Sequence, residues 1–184
     1  RKFTTSSAIY FDGVNDYISI LSDDRFVFGT GAFTIEMWVY IISTSDSWGR
    51  LIECGAYNTT GTWRINYVNT TSSLQFHIGQ PSSPRPEINT SALSLNTWYH
   101  IAVARSGNTI KMFVNGTQDG GDLSYSGSFV GPDFGNILLG VGVSSASSST
   151  PQNYHNGYLQ DVRITKGLAR YTANFTPPTT EFEL

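Results

Sequence analysis

Phe33-Thr34-Ile35-Glu36-Met37-Trp38-Val39-Tyr40-Ile41-Ile42 is the stretch from which the rest of the chain is best read. Phe33, Ile35, Met37 and Val39 alternate with Thr34, Glu36, Trp38 and Tyr40. Successive side chains of an extended chain point to opposite faces, so this two-residue period is that of a strand. The second set includes Trp38 and Tyr40 and is not simply polar. A strand apolar on both faces is covered on both sides over part of its length. Two sheets packed face to face supply that cover; a single closed barrel is the alternative, and the doubly covered strand favours the sandwich.

Strand signals recur on either side of this segment, separated by turn clusters. Ala8 to Phe11 and Tyr17 to Ile20 flank the turn Asp12-Gly13-Val14-Asn15-Asp16. Leu51 to Cys54, Trp63 to Val68 and Leu74 to Ile78 follow. Pro81, Pro84 and Pro86 break any ladder and mark a surface loop. Thr97 to Arg105 and Thr109 to Asn115 read as a hairpin through Ser106-Gly107-Asn108. Tyr99, Ile101 and Val103 on one arm, with Ile110, Met112 and Val114 on the other, are its expected core residues. Asn136 to Gly140 and Gly157 to Ile164 are further strands. Ser144 to Thr150 reads as an exposed low-complexity loop, and Lys166 to Tyr171 is the one place for a helical turn. About a dozen strands without intervening helices predict an all-β, two-sheet antiparallel sandwich. No period of 20 to 50 residues repeats, which argues against a solenoid or propeller.

The composition agrees. The 184 residues suit one domain, residues 1–184. Only 14% are charged, against roughly 25% in an average soluble domain. Ser, Thr and Asn fill the difference with 22, 20 and 12 residues, a strand-and-turn composition that excludes a helical bundle. The net charge is −3 and the 11 Lys and Arg are scattered, which argues against a nucleic-acid partner. No apolar run approaches the roughly 20 residues of a membrane span, so no membrane insertion is expected. Without a starting Met or a signal peptide, the chain reads as processed or excised from a longer one. Cys54 is the only cysteine, which rules out an intrachain disulfide; it reads as a small buried hydrophobe.

Three segments in order resemble a known family. They are Tyr10-Phe11-Asp12-Gly13-Val14-Asn15-Asp16-Tyr17 with the Phe33 strand; Leu95 to Arg105 with Lys111-Met112-Phe113-Val114-Asn115-Gly116; and Asn156 to Ile164. Together they resemble the laminin G-like, concanavalin A-like lectin/glucanase jelly roll from about Ala8 to the C-terminus. The tail Asp161 to Tyr171, with Phe175-Thr176-Pro177-Pro178, is similar to such domains in bacteriophage virion proteins, on tail fibres or capsid surfaces. The resemblance implies a non-enzymatic carbohydrate- or protein-binding module on a virion surface, outside the cell, that adheres to a host glycan. A structural decoration or assembly domain is the alternative, and a homo-oligomer is compatible with either. Fold does not fix function, so the chemistry has to come from the residues.

Glycosidases use paired carboxylates, and related glucanases place acids at alternating positions of one strand. Glu36 and Glu53 are each the only acid on their strand, which argues against a hydrolase. Trp48, in the loop Ser43 to Arg50, is the leading aromatic platform for a sugar, with Tyr57 and Asn58 nearby; Tyr154-His155-Asn156 forms a second candidate loop. Arg64, Asn66 and Asn153 are further polar candidates, while strand tryptophans such as Trp63 belong to the core. Calcium wants several hard oxygens. Asp12, Gly13, Asn15 and Asp16 offer them in one turn, and the resemblance implies that Gln160 and Asp161 of the last strand come close. Turn capping by the same carboxylates needs no metal.

Overall fold

The computed structural model describes residues 1–4, 7–43, 47–132, 135–145 and 148–183. Fifteen strands form along them: β1 (Ile9–Asp12), β2 (Ile18–Leu21), β3 (Phe33–Ser43), β4 (Trp48–Cys54), β5 (Trp63–Val68), β6 (Ser73–Ile78), β7 (Glu87–Ala92), β8 (Trp98–Ser106), β9 (Thr109–Val114), β10 (Thr117–Gln118), β11 (Leu123–Ser124), β12 (Asn136–Leu139), β13 (Gly142–Ser145), β14 (Ser148–Gln152) and β15 (Asn156–Lys166). One 3-10 turn, Asp24–Phe26, is capped by the Asp23 carboxylate, which accepts from the Arg25 N–H. One sheet runs β1-β15-β3-β8-β9-β10, with β11 also on β9; the other runs β2-β12-β4-β5-β6-β7. The pairings of both sheets are antiparallel, as the sandwich reading predicts.

β3 pairs with β15 on one side and β8 on the other. Phe33, Ile35, Met37, Val39 and Ile41 point into the core and meet Ile52, Trp63, Ile65, Phe76 and Leu139 of the facing sheet. Ile101, Val103, Ile110, Met112 and Val114 are buried in the same core, with Tyr99 packed at its margin, as the hairpin pattern predicts. Cys54 is buried there too.

The outer face of the β3 sheet is covered by the chain's own ends. Tyr171, Phe175 and Phe182 meet the His100 ring edge to face. Phe3 packs on Trp38. Beneath this strap the Glu36 carboxylate is fully buried. It accepts from Arg163 Nε at 2.9 Å and from the Tyr171 hydroxyl at 2.8 Å. Glu36 thus anchors the C-terminal strap.

Two local expectations are corrected and one is met. Lys166–Tyr171 makes no helical turn: β15 runs to Lys166, Gly167 turns the chain at φ +86°, and Thr34 Oγ1 ties the next residues to β3 by donating to Leu168 O and accepting from Arg170 N. Ser144–Thr150 lies in part outside the described residues, and its flanks form the β13–β14 ladder instead of an open loop. Residues 81–86 form the expected proline loop, and β7 begins directly after Pro86.

Candidate functional site

The sheet containing β4 to β7 carries polar side chains on the face turned away from the core, arranged by register in two rows. Glu53 stands opposite Arg64, Arg64 opposite His77, and His77 opposite Glu87. One step along the strands, Arg50 stands opposite Asn66, Asn66 opposite Gln75, and Gln75 opposite Asn89. Directly opposed residues of antiparallel strands are the ones whose side chains meet. Arg50 and Glu53 are three apart and in a regular strand would face opposite ways. The register shift between Arg50 and Ile52 turns both Leu51 and Ile52 inward and leaves Arg50 and Glu53 on one face.

Most of these rows are buried although they lie outside the core. Glu53 Oε2 sits 3.0 Å from Arg50 Nε and 3.4 Å from Arg64 Nη1. Its Oε1 accepts from the Val143 N–H at 2.8 Å, which ties the β13–β14 hairpin down onto the pair. Arg50 Nη1 donates to Asn66 Oδ1, and Asn66 Nδ2 donates to Gln75 Oε1 at 3.2 Å. Gln75 Nε2 donates in turn to Glu87 and Asn89, at 3.1 and 3.0 Å. Burial lowers the Arg50 pKa against the opposing pull of Glu53. His77 falls to about 3, through burial first and then the charges of Arg64, Arg85 and Arg50. It is neutral at pH 7, and its Nδ1 is buried without a hydrogen-bond partner.

Loops wall these rows into a groove of about 590 Å3. Val143 with Gln152 and Asn153 of the hairpin side, Tyr57, and the segment Ser83-Pro84-Arg85 stand around it, with Trp48 at one end. Asn153 O accepts from the Arg50 N–H at 3.0 Å and fixes that wall to β4. The Arg85 guanidinium lies 4.7 Å from the Tyr57 ring centre and that of Arg64 5.6 Å. Cation–π attraction to one ring therefore draws the buried Arg64 and the partly exposed Arg85 to the same side of the groove. A concave site with convergent amides, guanidiniums and an aromatic edge can hydrogen-bond the hydroxyls of a saccharide while one ring face packs on Trp48.

The predicted site residues divide. Trp48 lines the groove, but from the first position of β4; residues 44–46 of its expected loop lie outside the described residues. Tyr57 lines it as the partner of two arginines. Asn58 is exposed in the adjoining turn and does not line the groove. Tyr154-His155-Asn156 is not an open binding loop. Tyr154 packs on Leu138, Val141 and Val143; His155 is fully buried near the Phe11 ring; Asn156 Nδ2 donates to Ser43 Oγ at 3.0 Å. Arg64, Asn66 and Asn153 do line the groove. Sequence reasoning missed Arg50, Gln75, His77, Arg85 and Glu87. Period-two alternation in Trp63 to Val68 and Leu74 to Ile78 carried a signal for Gln75 and His77, since each falls on the face opposite the core.

The calcium ligands do not form one oxygen cage. β1 pairs with β15 so that Asp12 stands opposite Asn156, which leaves Asp161 five residues further along. At 3.2–3.4 Å per residue that is roughly 16 Å of strand. Asp12 Oδ1 accepts from the N–H groups of Val14 and Asn15, and these bonds lower its pKa. Asp16 Oδ2 accepts from the Asp12 N–H, and Gln160 Oε1 accepts from Lys2 N. Gly13 at φ +78° turns the chain beside the Asn156 side chain, and Asn15 is exposed. Asp161, at a bulge with φ 52°, accepts from the Phe182 N–H. The acidic turn caps itself, and Asp161 fastens the tail.

A two-sheet antiparallel jelly roll with a walled polar groove over one sheet is a β-sandwich of the lectin/glucanase fold class. The chain belongs to the laminin G-like family (Laminin_G_3) of the concanavalin A-like lectin/glucanases superfamily, matched over residues 12–169. A search of curated protein sequences finds no match. Among solved structures it is similar to the heptameric SAP-like pentraxin of Limulus polyphemus, at 17% identity and a TM-score of 0.60 over 88% of this chain and 77% of that one. Domain 4 of an extracellular arabinanase from Geobacillus stearothermophilus, in complex with arabinotriose, is similar at 16% identity and a TM-score of 0.62 over 92% and 75%. Botulinum neurotoxin type C, whose cell entry depends on two ganglioside molecules, is similar at 15% identity and a TM-score of 0.61; 86% of this chain matches 39% of that one. At these identities the likeness is one of fold.

Proposed function

We propose that this domain is a non-enzymatic glycan-binding module whose ligand lies in the groove over β4 to β7. The observation that carries the reading is the pair of polar rows, set in a groove large enough for a short saccharide. The arabinotriose complex of a similar fold and the ganglioside dependence of another support it. Hydrolysis would need two carboxylates free to act as acid and as base or nucleophile across a bond. Of the two beside the groove, Glu53 is held by two arginines and the Val143 N–H, while Glu87 accepts from Gln75 and Asn89. This arrangement supports binding over hydrolysis.

The finer reading is that the module works outside the cell, on a viral particle, as a host-surface adhesin. The resemblance read from the sequence of the tail Asp161 to Tyr171 motivates it, and genes for head or tail proteins beside the parent gene are the expected finding. Glycan-array binding tests the activity itself. Millimolar or tighter binding to a defined saccharide, lost in a folded Trp48→Ala variant, is expected. A blank array with stable incorporation of the domain into particles would replace binding with assembly.

A further inference from the structure

We infer that the groove takes a glycan bearing a carboxylate, a uronic or sialic acid residue, with Arg85 as its counter-charge. The inference rests on the glycan-binding reading and adds the class of sugar. Three guanidiniums face the groove, those of Arg50, Arg64 and Arg85. Arg50 and Arg64 share one carboxylate, Glu53, at 3.0 and 3.4 Å. The other carboxylate, Glu87, is exposed on β7 and accepts from two side-chain amides. Arg85 has no carboxylate within ion-pairing reach among the described residues; its Nε donates to the Gln80 carbonyl and its plane is held near Tyr57. Three cations against two carboxylates leave one positive charge over among the described residues.

That surplus sits beside a buried imidazole. His77 is more than nine-tenths buried, lines the groove and has an unpartnered Nδ1. The charges of Arg64, Arg85 and Arg50 help to keep it neutral, and Glu87 stands across from it on β7. A planar guanidinium at the mouth matches a carboxylate in a two-point fork. A neutral sugar would leave Arg85 unpaired while covering it from water, which is costly for a charge. The groove therefore distinguishes acidic from neutral saccharides of the same shape. Tyr57 is a positioning residue, because it aims the cation and its ring face is already occupied.

Titration calorimetry with matched pairs tests this: trigalacturonate against its methyl ester, and sialyllactose against its methyl ester. Esterification removes the charge and keeps the rings, and the two series separate uronic from sialic acids. At least tenfold tighter binding of the acid is expected in one series, weakening with added salt. The preference should vanish in Arg85→Gln, shrink in Arg85→Lys, and survive in Tyr57→Phe but not Tyr57→Leu. Equal binding of acid and ester, or a preference that survives Arg85→Gln, would overturn the acid assignment and leave glycan binding standing. No binding of any saccharide, acidic or neutral, would remove both.

Discussion

Replacing Glu53 by Gln isolates what the buried charges under the groove cost and contribute. The carboxylate is fully buried, and its two arginine partners are 5% and 3% exposed. Glutamine has nearly the same shape and keeps an oxygen for the Val143 N–H, so packing and hairpin anchoring survive. The negative charge does not. Two guanidiniums then lie against one neutral amide without water to solvate them. Breaking a buried ion pair from one side costs about 3–5 kcal/mol, because the remaining charge stays desolvated. Against a total stability of roughly 5–15 kcal/mol, that is a large share. At about 2–4 °C per kcal/mol for a domain of this size, the melting point should fall by roughly 6–20 °C.

Two controls fix the cause. Asp23→Asn breaks an exposed pair with Arg25 and should leave the melting curve in place. The triple variant Glu53→Leu, Arg50→Met, Arg64→Met removes all three charges at similar volume and should recover most of the lost stability. Differential scanning calorimetry reads all of them. A Glu53→Gln melting point within about 2 °C of the parent, or a triple variant no more stable than Glu53→Gln, would refute the buried-charge argument.

Three further outcomes are expected. Ile101 is fully buried opposite Met37 and Val114, so Ile101→Asp should abolish cooperative folding; a soluble variant with a sharp melt would contradict the register. His77 and His155 are held neutral in the fold, at about 3 and about 4, while the unfolded chain protonates them near 6.5; burial is the first cause for both. The unfolded state binds more protons between those values, so stability falls as pH drops below 6.5, by about 2 kcal/mol for each histidine at pH 5. Urea unfolding across that range should show the slope in the parent and half of it in His77→Asn, and an unchanged slope in the variant would sink the assignment. A Cβ on Gly142 would lie 2.4 Å from Arg50 Nε and 2.8 Å from Glu53 Oε2, so Gly142→Ala should cost about 1–3 kcal/mol by thermal melt and weaken saccharide binding. Unchanged stability and binding would mean that the hairpin does not press on the ion pair.

The architecture was legible because its determinants are periodic. Phe33 to Ile42 alternates with bulky residues on both faces, and the structure covers both: one by the facing sheet, the other in part by the C-terminal strap. The hairpin at Ser106 was legible from its turn residues, and its register indeed turns through Gly107-Asn108. The groove was only half legible. Alternation placed Trp63 inside and Arg64 and Asn66 outside, but it cannot show that an outer face is covered, because cover comes from strands distant in sequence. Val143 reaches Glu53 across ninety positions. The Arg50–Glu53 pair was hidden by the irregularity at Leu51, where a period-two reading sends the two side chains to opposite faces. Arg85 was lost among prolines that signalled only a loop. The meeting of Asp12 with Asp161 failed for a related reason, since strand pairing alone sets how far apart two turns lie.

The two faces of the β4–β7 sheet therefore answer to different demands. The inner face is apolar and supplies the burial that holds the sandwich together. The outer face buries two arginines and one carboxylate, which contribute little to folding on balance and would be replaceable by apolar side chains if stability were the only requirement. What those rows do provide is a set of donors and acceptors fixed before any ligand arrives. Asn66 and Gln75 are already oriented by their neighbours, and the guanidiniums of Arg64 and Arg85 by Tyr57. A rigid polar floor spares a ligand the entropic cost of ordering it, and for a hydrated saccharide that saving decides whether binding is measurable. The triple apolar variant makes the division testable in one molecule: it should regain the stability lost in Glu53→Gln and bind no saccharide.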